Sequence, residues 1–584
     1  MLKYWEQKVE GDSRIVSELA IQLNIDYTLA NLLVQRGIKD YDSAKKFFKP
    51  DLRNLHDPFL MKDMDKAIER VTKAIKNEEK ILIYGDYDVD GTTAVSLVYT
   101  FFAEFYEKID FYIPDRYSEG YGISKMSIDF ANENNFTLII ALDCGIKAVD
   151  EIEYSKTKGV DFIICDHHLP GDKIPDACAV LDPKQPDCNY PYKELSGCGV
   201  GFKLIHAYAK KHRIASEKLY NFLDLVVISI ASDIVPITGE NRILAFYGLK
   251  LINTKPRAGI EAVLNSANVK RRKKQNIKYN KCIFCKEITI NDLVFTIGPR
   301  INATGRLENG KTSVELLNST NLEEANKIAN KINNINNKRR EMDNTATKEA
   351  IDIIEKDKTF EDKKVIIVYH HKWHKGVVGI VASRIAEKYF KPTIILTKSN
   401  GLITGSARSV KDFDIHEAIN SCSEYLEHFG GHTFAAGLTL KEENLDNFIN
   451  KLEDIVAKNI SETTLLPVIE YDTEIDIKDI NSKFYKTLKR FAPFGPGNQS
   501  PVFKTIGVVD TGLAKLVGKN HIKLTVTQIN KGGDPISAIA FQMGDDFYED
   551  IISGNPFNIV YTLEENEWNN KIYLQLNIKD IKMI

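Results

Sequence analysis

No uninterrupted apolar run in these 584 residues approaches the roughly 20 positions that a membrane-spanning helix needs. The N-terminus, MLKYWEQKVEGDSR, has no apolar signal core. Eight cysteines scattered over this length make no disulfide framework. These absences argue against secretion and membrane insertion and predict a cytoplasmic location. Charge of one sign is missing too. With a formal net charge of −3, any surface for nucleic acid must be local. Internal repeats and long low-complexity segments are also lacking. What is there, 43% hydrophobic and 27% charged residues, is the composition of a globular chain. It is too long for one core, so three or four folded units are expected.

Apolar runs in the first half end in acidic or histidine-bearing turns. Lys80-Ile-Leu-Ile-Tyr84 leads into GDYDVDG, and TTAVSLVYTFFAEF beyond it reads as a helix. Ile109-Asp-Phe-Tyr-Ile113 leads into Pro-Asp-Arg, Phe136 to Leu142 into Asp143, and Val160 to Cys165 into Asp166-His167-His168. Short β-rich runs alternating with helical segments predict parallel strands with crossover helices. Such sheets collect ligands at the C-terminal ends of their strands, where these acids lie. From about 311 to 358 the chain turns polar and helical, with Ile328, Ile332, Ile335 and Met342 as a partial apolar stripe. A second strand–helix–strand unit follows (VIIVYHH, GVVGIVASRIAEKY, PTIILTK). After Leu466, short strands with Gly and Asn turns suggest a small β-barrel.

Three carboxylates in DYDVDG, at Asp86, Asp88 and Asp90, repel one another and are costly to desolvate, so a fold keeps them where a cation compensates. An EF-hand is excluded because loop position twelve falls in the apolar helix. A solvated acidic turn is the competing reading. Asp143, the Asp166-His167-His168 trio and Asp233 in VVISIASDIVP add acids and imidazoles to the set. Mixed Asp and His donors suit Mn²⁺ or Mg²⁺ better than structural Zn²⁺, and this many ligands would hold two ions.

DYDVDG, ALDCG, CDHH and ASDIVP resemble, in order and spacing, the four motifs of the DHH phosphoesterase superfamily. IPDRYSEGYG, LSGCGVGFKL, IGPRINATGRL, WHKGVVGIVASR, GSARS, FGGHTFAAG and FAPFGPGNQSPVF narrow the resemblance to its RecJ branch, from near residue 50 to the C-terminus. Tyr84 stands near where related branches place a His, and Asp86 is extra. The resemblance implies an α/β architecture in five parts. These are an N-terminal helical segment (1–56), a parallel-sheet DHH catalytic domain (57–310), a helical connector (311–358), a DHHA1-type substrate-binding domain (359–465) and an OB-like β-barrel for single strands (466–584). It implies metal ligands at Asp86, Asp88, Asp90, Asp143, His167 and Asp233, with Asp143 bridging two ions. It also implies that His168 faces the substrate phosphate or leaving oxygen rather than a metal, and that the catalytic set is His168, Asp143 and Asp166. The implied activity is 5′→3′ hydrolysis of single-stranded DNA to 5′-mononucleotides in repair and recombination. Single-strand-binding protein and a helicase are the implied partners.

Arg116, Arg300 and Arg306 are read as lying on loops that reach the catalytic strand ends. Ser406, Arg408, Gly431 and His432 are read as phosphate-contacting loops, where glycine admits the backbone and the side chains donate to oxygen. Ala407 stands where the family usually has Gly. His374 and Arg384 either contribute there or brace the helix. Phe503, His521 and Phe541 are candidate surface aromatics of the barrel, since single-strand binders stack bases on such rings. On this division of labour the barrel is a removable grip. Lys270 to Lys274 read as a solvated insertion, with a DNA contact as the alternative, and the Cys282/Cys285 pair, lacking a second pair, is assigned no zinc. Two other readings are a phosphodiesterase of cyclic dinucleotides or short oligonucleotides, and a non-catalytic replication scaffold. The first needs no barrel, and the second needs no intact acids.

Overall fold

The computed structural model describes residues 3–273, 282–568 and 571–584, so Lys274 of the basic run lies outside the described residues. The chain divides into two compact units, Met1–Trp5 with Asn333–Ile469, and Glu6–Ile332 with Glu470–Ile584.

In the larger unit, β1 (Lys80–Gly85), β2 (Ile109–Tyr112), β3 (Phe136–Leu142), β4 (Asp161–Cys165) and β5 (Ala179–Leu181) form a parallel sheet in the order β2-β1-β3-β4-β5. Successive side chains of a strand point to opposite faces, and here both faces are buried. Ile81 and Ile83 enter one core, while Leu82 and Tyr84 enter another. This is why β1, β3 and β4 read as continuous apolar runs rather than alternating ones. Crossover helices bring the C-terminal ends of β1, β3 and β4 together, and each end carries an acid.

The same unit contains three short helices, α1 (Ser13–Leu23), α2 (Tyr27–Gln35) and α3 (Tyr41–Phe48), each started by an aspartate side chain that caps its first amides. Val16, Leu19, Leu29, Leu32, Leu33 and Ala44 bury their side chains in one core with Phe484, Phe491, Phe503, Leu524 and Ile559 of the C-terminal domain. That domain has β6 (Phe503–Asp510), β7 (His521–Gln528), β8 (Ile536–Ala540), β9 (Phe557–Trp568) and β10 (Lys571–Met583), paired in the order β6-β9-β10-β8-β7, with β7 pairing back onto β6. The five strands therefore close on themselves. The sequence-based picture of a removable barrel is corrected here. Cutting the chain after Leu466 would strip α1–α3 of the apolar surface they pack against. Phe503 is corrected as well. It is 0% exposed in that core, because it opens β6 on the inward phase of the alternation, whereas Phe541 is 49% exposed with His521 packed edge-on against it.

In the smaller unit, β11 (Ile366–Tyr369), β12 (Thr393–Ser399), β13 (Leu402–Arg408), β14 (Leu426–His432) and β15 (Ala435–Leu440) form a sheet in the order β14-β15-β13-β12-β11. A 35-residue helix, Leu322–Lys356, runs from the larger unit into this one. Arg384 pairs with Asp343 at 2.8 Å and donates to Asn344 at 2.9 Å, so it braces that helix. The His374 ring accepts the Gly376 amide. Among the described residues no helix is long and apolar enough to cross a membrane.

Candidate active site

Asp86 follows β1 directly, and Asp88 caps the helix Val89–Ala103 by accepting the Gly91 amide at 3.1 Å. The chain turns so tightly there that a Cβ on Gly91 would stand 2.3 Å from the Asp86 carbonyl oxygen. Asp90, in the first turn of that helix, is held from three sides. It accepts the amides of Gly197 and Cys198 and the Ser229 hydroxyl, each at 2.7 Å. The first two are free amides at the start of the helix Gly197–Lys211, where a helix favours negative charge. Asp143 follows β3 with a left-handed backbone (φ 61°), and Asp233 ends the helix Leu223–Ser232.

His167 collects these acids. Its Nε2 lies 3.2 Å from Asp143 Oδ1, 3.5 Å from Asp233 Oδ2 and 3.7 Å from Asp90 Oδ2. Among the described residues, two groups have donor atoms within 4.8 Å of one another: Asp143, His167 and His168, and Asp90, His167 and Asp233. Asp86 and Asp88 fall outside both groups, although the Asp88 charge acts on Asp143, Asp233 and Asp86. Burial first, and neighbouring carboxylates second, push Asp86, Asp88 and Asp143 above the usual range and Asp233 up to about 8. Asp86 Oδ1, Asp143 Oδ1 and both His167 ring nitrogens are buried without a hydrogen-bond partner. Orphaned buried acceptors are expensive. Oxygen donors with an imidazole, clustered and unsatisfied, fit a divalent cation such as Mn²⁺ or Mg²⁺.

Asp166 has a different task. Its Oδ1 accepts from the His167 amide, the His168 amide and His168 Nδ1, at 2.7, 3.2 and 2.7 Å, and its Oδ2 accepts the Ile146 amide. Burial alone would raise its pKa, but the His168 hydrogen bond and charge and the amide hold it down at about 2. Burial would likewise discharge His168, yet the Asp166 carboxylate, with Asp233 and Asp90 behind it, raises that imidazole to about 9. His168 is 33% exposed, and its Nε2 lies 3.3 Å from the Tyr121 hydroxyl. It is a positioned cation at the mouth of the cluster, suited to a phosphate oxygen. Asp166→Asn is therefore expected to cost about 10–100-fold in turnover, as loss of a partner that orients an active-site imidazole does. An NMR titration should show His168 falling from about 9 towards its ordinary value. An unmoved titration would remove Asp166 from this role.

Arg300 and Arg306 lie on the helix Gly298–Leu307 rather than on loops. Pro299 in its first turn suits a helix start. Arg300 donates back to the Thr296 carbonyl at 2.7 Å, and the Tyr117 hydroxyl donates to the Arg306 carbonyl. This helix packs on the first motif: Asn302 Oδ1 accepts the Val89 amide at 3.1 Å, and a Cβ on Gly305 would meet the Tyr87 carbonyl oxygen at 2.5 Å. The Arg116 guanidinium lies 5.2 Å over the Tyr87 ring, and its charge lowers the Asp86 pKa.

In the smaller unit, Ser406 and Arg408 lie on β13 and Gly431 and His432 on the edge strand β14, again strands where loops were expected. Register aligns His432 with Ala435 and Ala435 with Arg408, and likewise Gly430 with Gly437 and Gly437 with Ser406. Directly opposed residues share a face, so Ser406, Arg408 and His432 border a floor of two glycines. Arg408 donates to Ser383 Oγ, Ser406 Oγ and the Ala407 carbonyl at 3.1, 2.8 and 2.7 Å, all neutral acceptors. Ala407 points to the other face and is fully buried in the core, so its methyl leaves this surface unchanged. Cys282 is buried with its thiol on Asn253 Oδ1, while Cys285 is exposed.

The DHH family, N-terminal domain, matches residues 80–230, the DHHA1 domain 362–458 and the RecJ OB domain 471–580. The single-stranded-DNA-specific exonuclease RecJ of Bacillus subtilis is 36% identical over 99% of this chain and 70% of its own length. That of Escherichia coli is 30% identical over 99% of both. The chain belongs to the RecJ family. A crystal structure of Thermus thermophilus RecJ with Mn²⁺ shares the fold, with a TM-score of 0.82 over 99% of this chain and 79% of that one at 23% identity. Gly197, Cys198 and Ser229, which hold Asp90, were given no role from sequence, although the first two lie in the LSGCGVGFKL motif. The signal for those two is the SGCG run, a capping serine before free helix amides. Tyr121, beside His168, lies in the IPDRYSEGYG motif and was given no role either.

Proposed function

We propose that the chain is a single-stranded-DNA-specific 5′→3′ exonuclease that releases 5′-mononucleotides with Mn²⁺ or Mg²⁺. The observation that carries this reading is the convergence of Asp143, Asp233 and Asp90 on His167, with Asp143 Oδ1 and both His167 ring nitrogens buried and unsatisfied, in a member of the RecJ family. Asp86, Asp88, Asp90, Asp143, His167 and Asp233 are the ligand set, with Asp143 shared. Two bound ions would generate a nucleophilic water and stabilise the attacking and leaving oxygens. His168, fixed by Asp166, donates to the scissile phosphate, while Arg116, Arg300 and Arg306 supply positive charge on the same unit. The biological setting is DNA repair and recombination in the cytoplasm, with single-strand-binding protein and a helicase as partners. A cyclic-dinucleotide phosphodiesterase would leave the closed five-stranded domain without a task, and a scaffold would leave the buried acids without one. Strands labelled at either end, single- or double-stranded, with and without each metal, test the reading. Release of the 5′ label as a mononucleotide only from metal-supplied single strands is expected, and 3′ release or duplex digestion would refute it.

Ser406, Arg408 and His432 form the site for the terminal 5′-phosphate. A phosphate monoester makes full use of charge-assisted donors there. Losing one such contact costs about 1.5–3 kcal/mol, or roughly tenfold to a hundredfold. Arg408→Ala should therefore erase most of the preference for a 5′-phosphorylated over a 5′-hydroxyl strand while sparing turnover of the latter. Competition between matched oligonucleotides measures this, and a mutant that keeps the full preference places end recognition elsewhere.

A further inference from the structure

Asp233 is carried on a short peptide, Ile234-Val235-Pro236-Ile237-Thr238, between two helices of the larger unit. Ile234 adopts φ 59°, which is costly for a β-branched residue, and is 64% exposed. Two domains anchor this peptide. The Tyr192 hydroxyl and Asn241 Nδ2 of the catalytic domain donate to its Pro236 carbonyl at 3.2 and 3.1 Å, and its Ile237 amide donates to the Pro496 carbonyl of the C-terminal domain at 2.7 Å. The anchoring turn is built for close approach. A Cβ on Gly495 would stand 2.6 Å from Ile237 Cγ1, and one on Gly497 (φ 71°) 3.0 Å from Thr238 Cγ2. The turn is rigid. Gly495 and Asn498 exchange backbone hydrogen bonds at 3.0 and 2.9 Å, and the Asn498 side chain donates to the Phe491 and Pro493 carbonyls at 2.9 Å.

Arg242 ties the turn down. Only four residues beyond Thr238, its guanidinium is 4% exposed and stacks 3.8 Å over Phe47. It donates to the carbonyls of Phe491, Ala492, Arg490 and Phe47 at 2.8, 3.0, 3.3 and 3.2 Å. A planar array of five N–H groups can serve several backbone oxygens in this way, whereas a lysine cannot.

We propose that the turn 491–498, held by Arg242, is a positioning element for Asp233, so that the C-terminal domain builds part of the metal centre as well as gripping the strand. This rests on the metal reading of the site. Asp233 caps the helix Leu223–Ser232 through its amide on the Ser229 carbonyl but has no amide cradle of the kind that fixes Asp90, so its placement is shared between that helix end and the peptide behind it.

The full chain carrying Gly495→Ala pushes Ile237 and the peptide out of place. On a 5′-phosphorylated trinucleotide, too short to use a distant grip, kcat should fall about 10–100-fold. Mn²⁺ affinity, read by electron paramagnetic resonance on the intact protein, should weaken by a similar factor. KM for a long strand should stay within about twofold. Adding Ile237→Ala removes the clashing Cγ1 and should restore most of both losses. Should Gly495→Ala not fold, Arg242→Lys should give the same signature in the full chain. Wild-type kcat and Mn²⁺ affinity in a folded variant, or a rise confined to KM for the long strand, would overturn the proposal. Wild-type protein that takes up no Mn²⁺ would instead fail the metal reading and the proposal with it.

Discussion

Asp143→Ala protein is expected to fold and bind single strands but to hydrolyse them at below about 1% of the wild-type rate. Loss of a residue that merely orients a metal-site imidazole costs about 10–100-fold, and a carboxylate shared between two ions has to cost more. Its charge is opposed in the folded chain by burial and by Asp90, Asp88, Asp233 and Asp166, which raise its pKa well above the usual value. Removing it therefore relieves repulsion, and without metal the melting temperature should not drop on that account. Because Asp143 holds a left-handed backbone, alanine there also pays roughly 1–2 kcal/mol of strain. Asparagine tolerates that conformation, so Asp143→Asn separates lost charge from strain. Both variants should lose the rise in melting temperature that Mn²⁺ gives wild type through binding the native state. Wild-type activity in either would exclude a shared carboxylate at this position.

Gly197→Ala should be nearly as damaging, without touching a titratable group. A Cβ there would lie 2.6 Å from both Cβ and Oδ1 of Asp143, on the residue whose amide holds Asp90 Oδ2 at 2.7 Å. Neither carboxylate can retreat without moving away from His167. Misplacement by about 1 Å costs on the order of a hundredfold in a preorganised site. The expected outcome is at least that loss in kcat, with binding of a long strand nearly unchanged and Mn²⁺ affinity reduced. A variant with wild-type kcat would show that the site tolerates the shift.

The acids of this site could be read in the sequence because each ends an apolar run, and parallel strands deliver their C-terminal ends to one place. Which residues support them could not, because the SGCG run marks free helix amides but contact across long separations leaves no local pattern that names their acceptor. Asp90 is held by residues 107, 108 and 139 positions away. The GSARS and FGGHTFAAG segments looked like loops because they are small and glycine-rich. In fact Gly405 and Ala407 face the core between two paired strands, and the alternation Ile403, Gly405, Ala407 was there to read. The strongest disagreement concerned α1–α3 and the C-terminal strands. Each pattern identifies an apolar face, but neither says that the two faces are each other's partner.

That pairing sets a schedule for synthesis. Arg36 and Asn498, hydrogen-bonded in the finished protein, are 462 residues apart. At about 5–20 residues per second, the ribosome needs on the order of 25–90 s to supply the second after the first. Helices of 11, 9 and 8 residues are marginal alone. Helices α1–α3 therefore emerge well before the strands they pack against, and settle only after them. For that interval their leucines and valines are exposed to any chaperone that binds apolar segments.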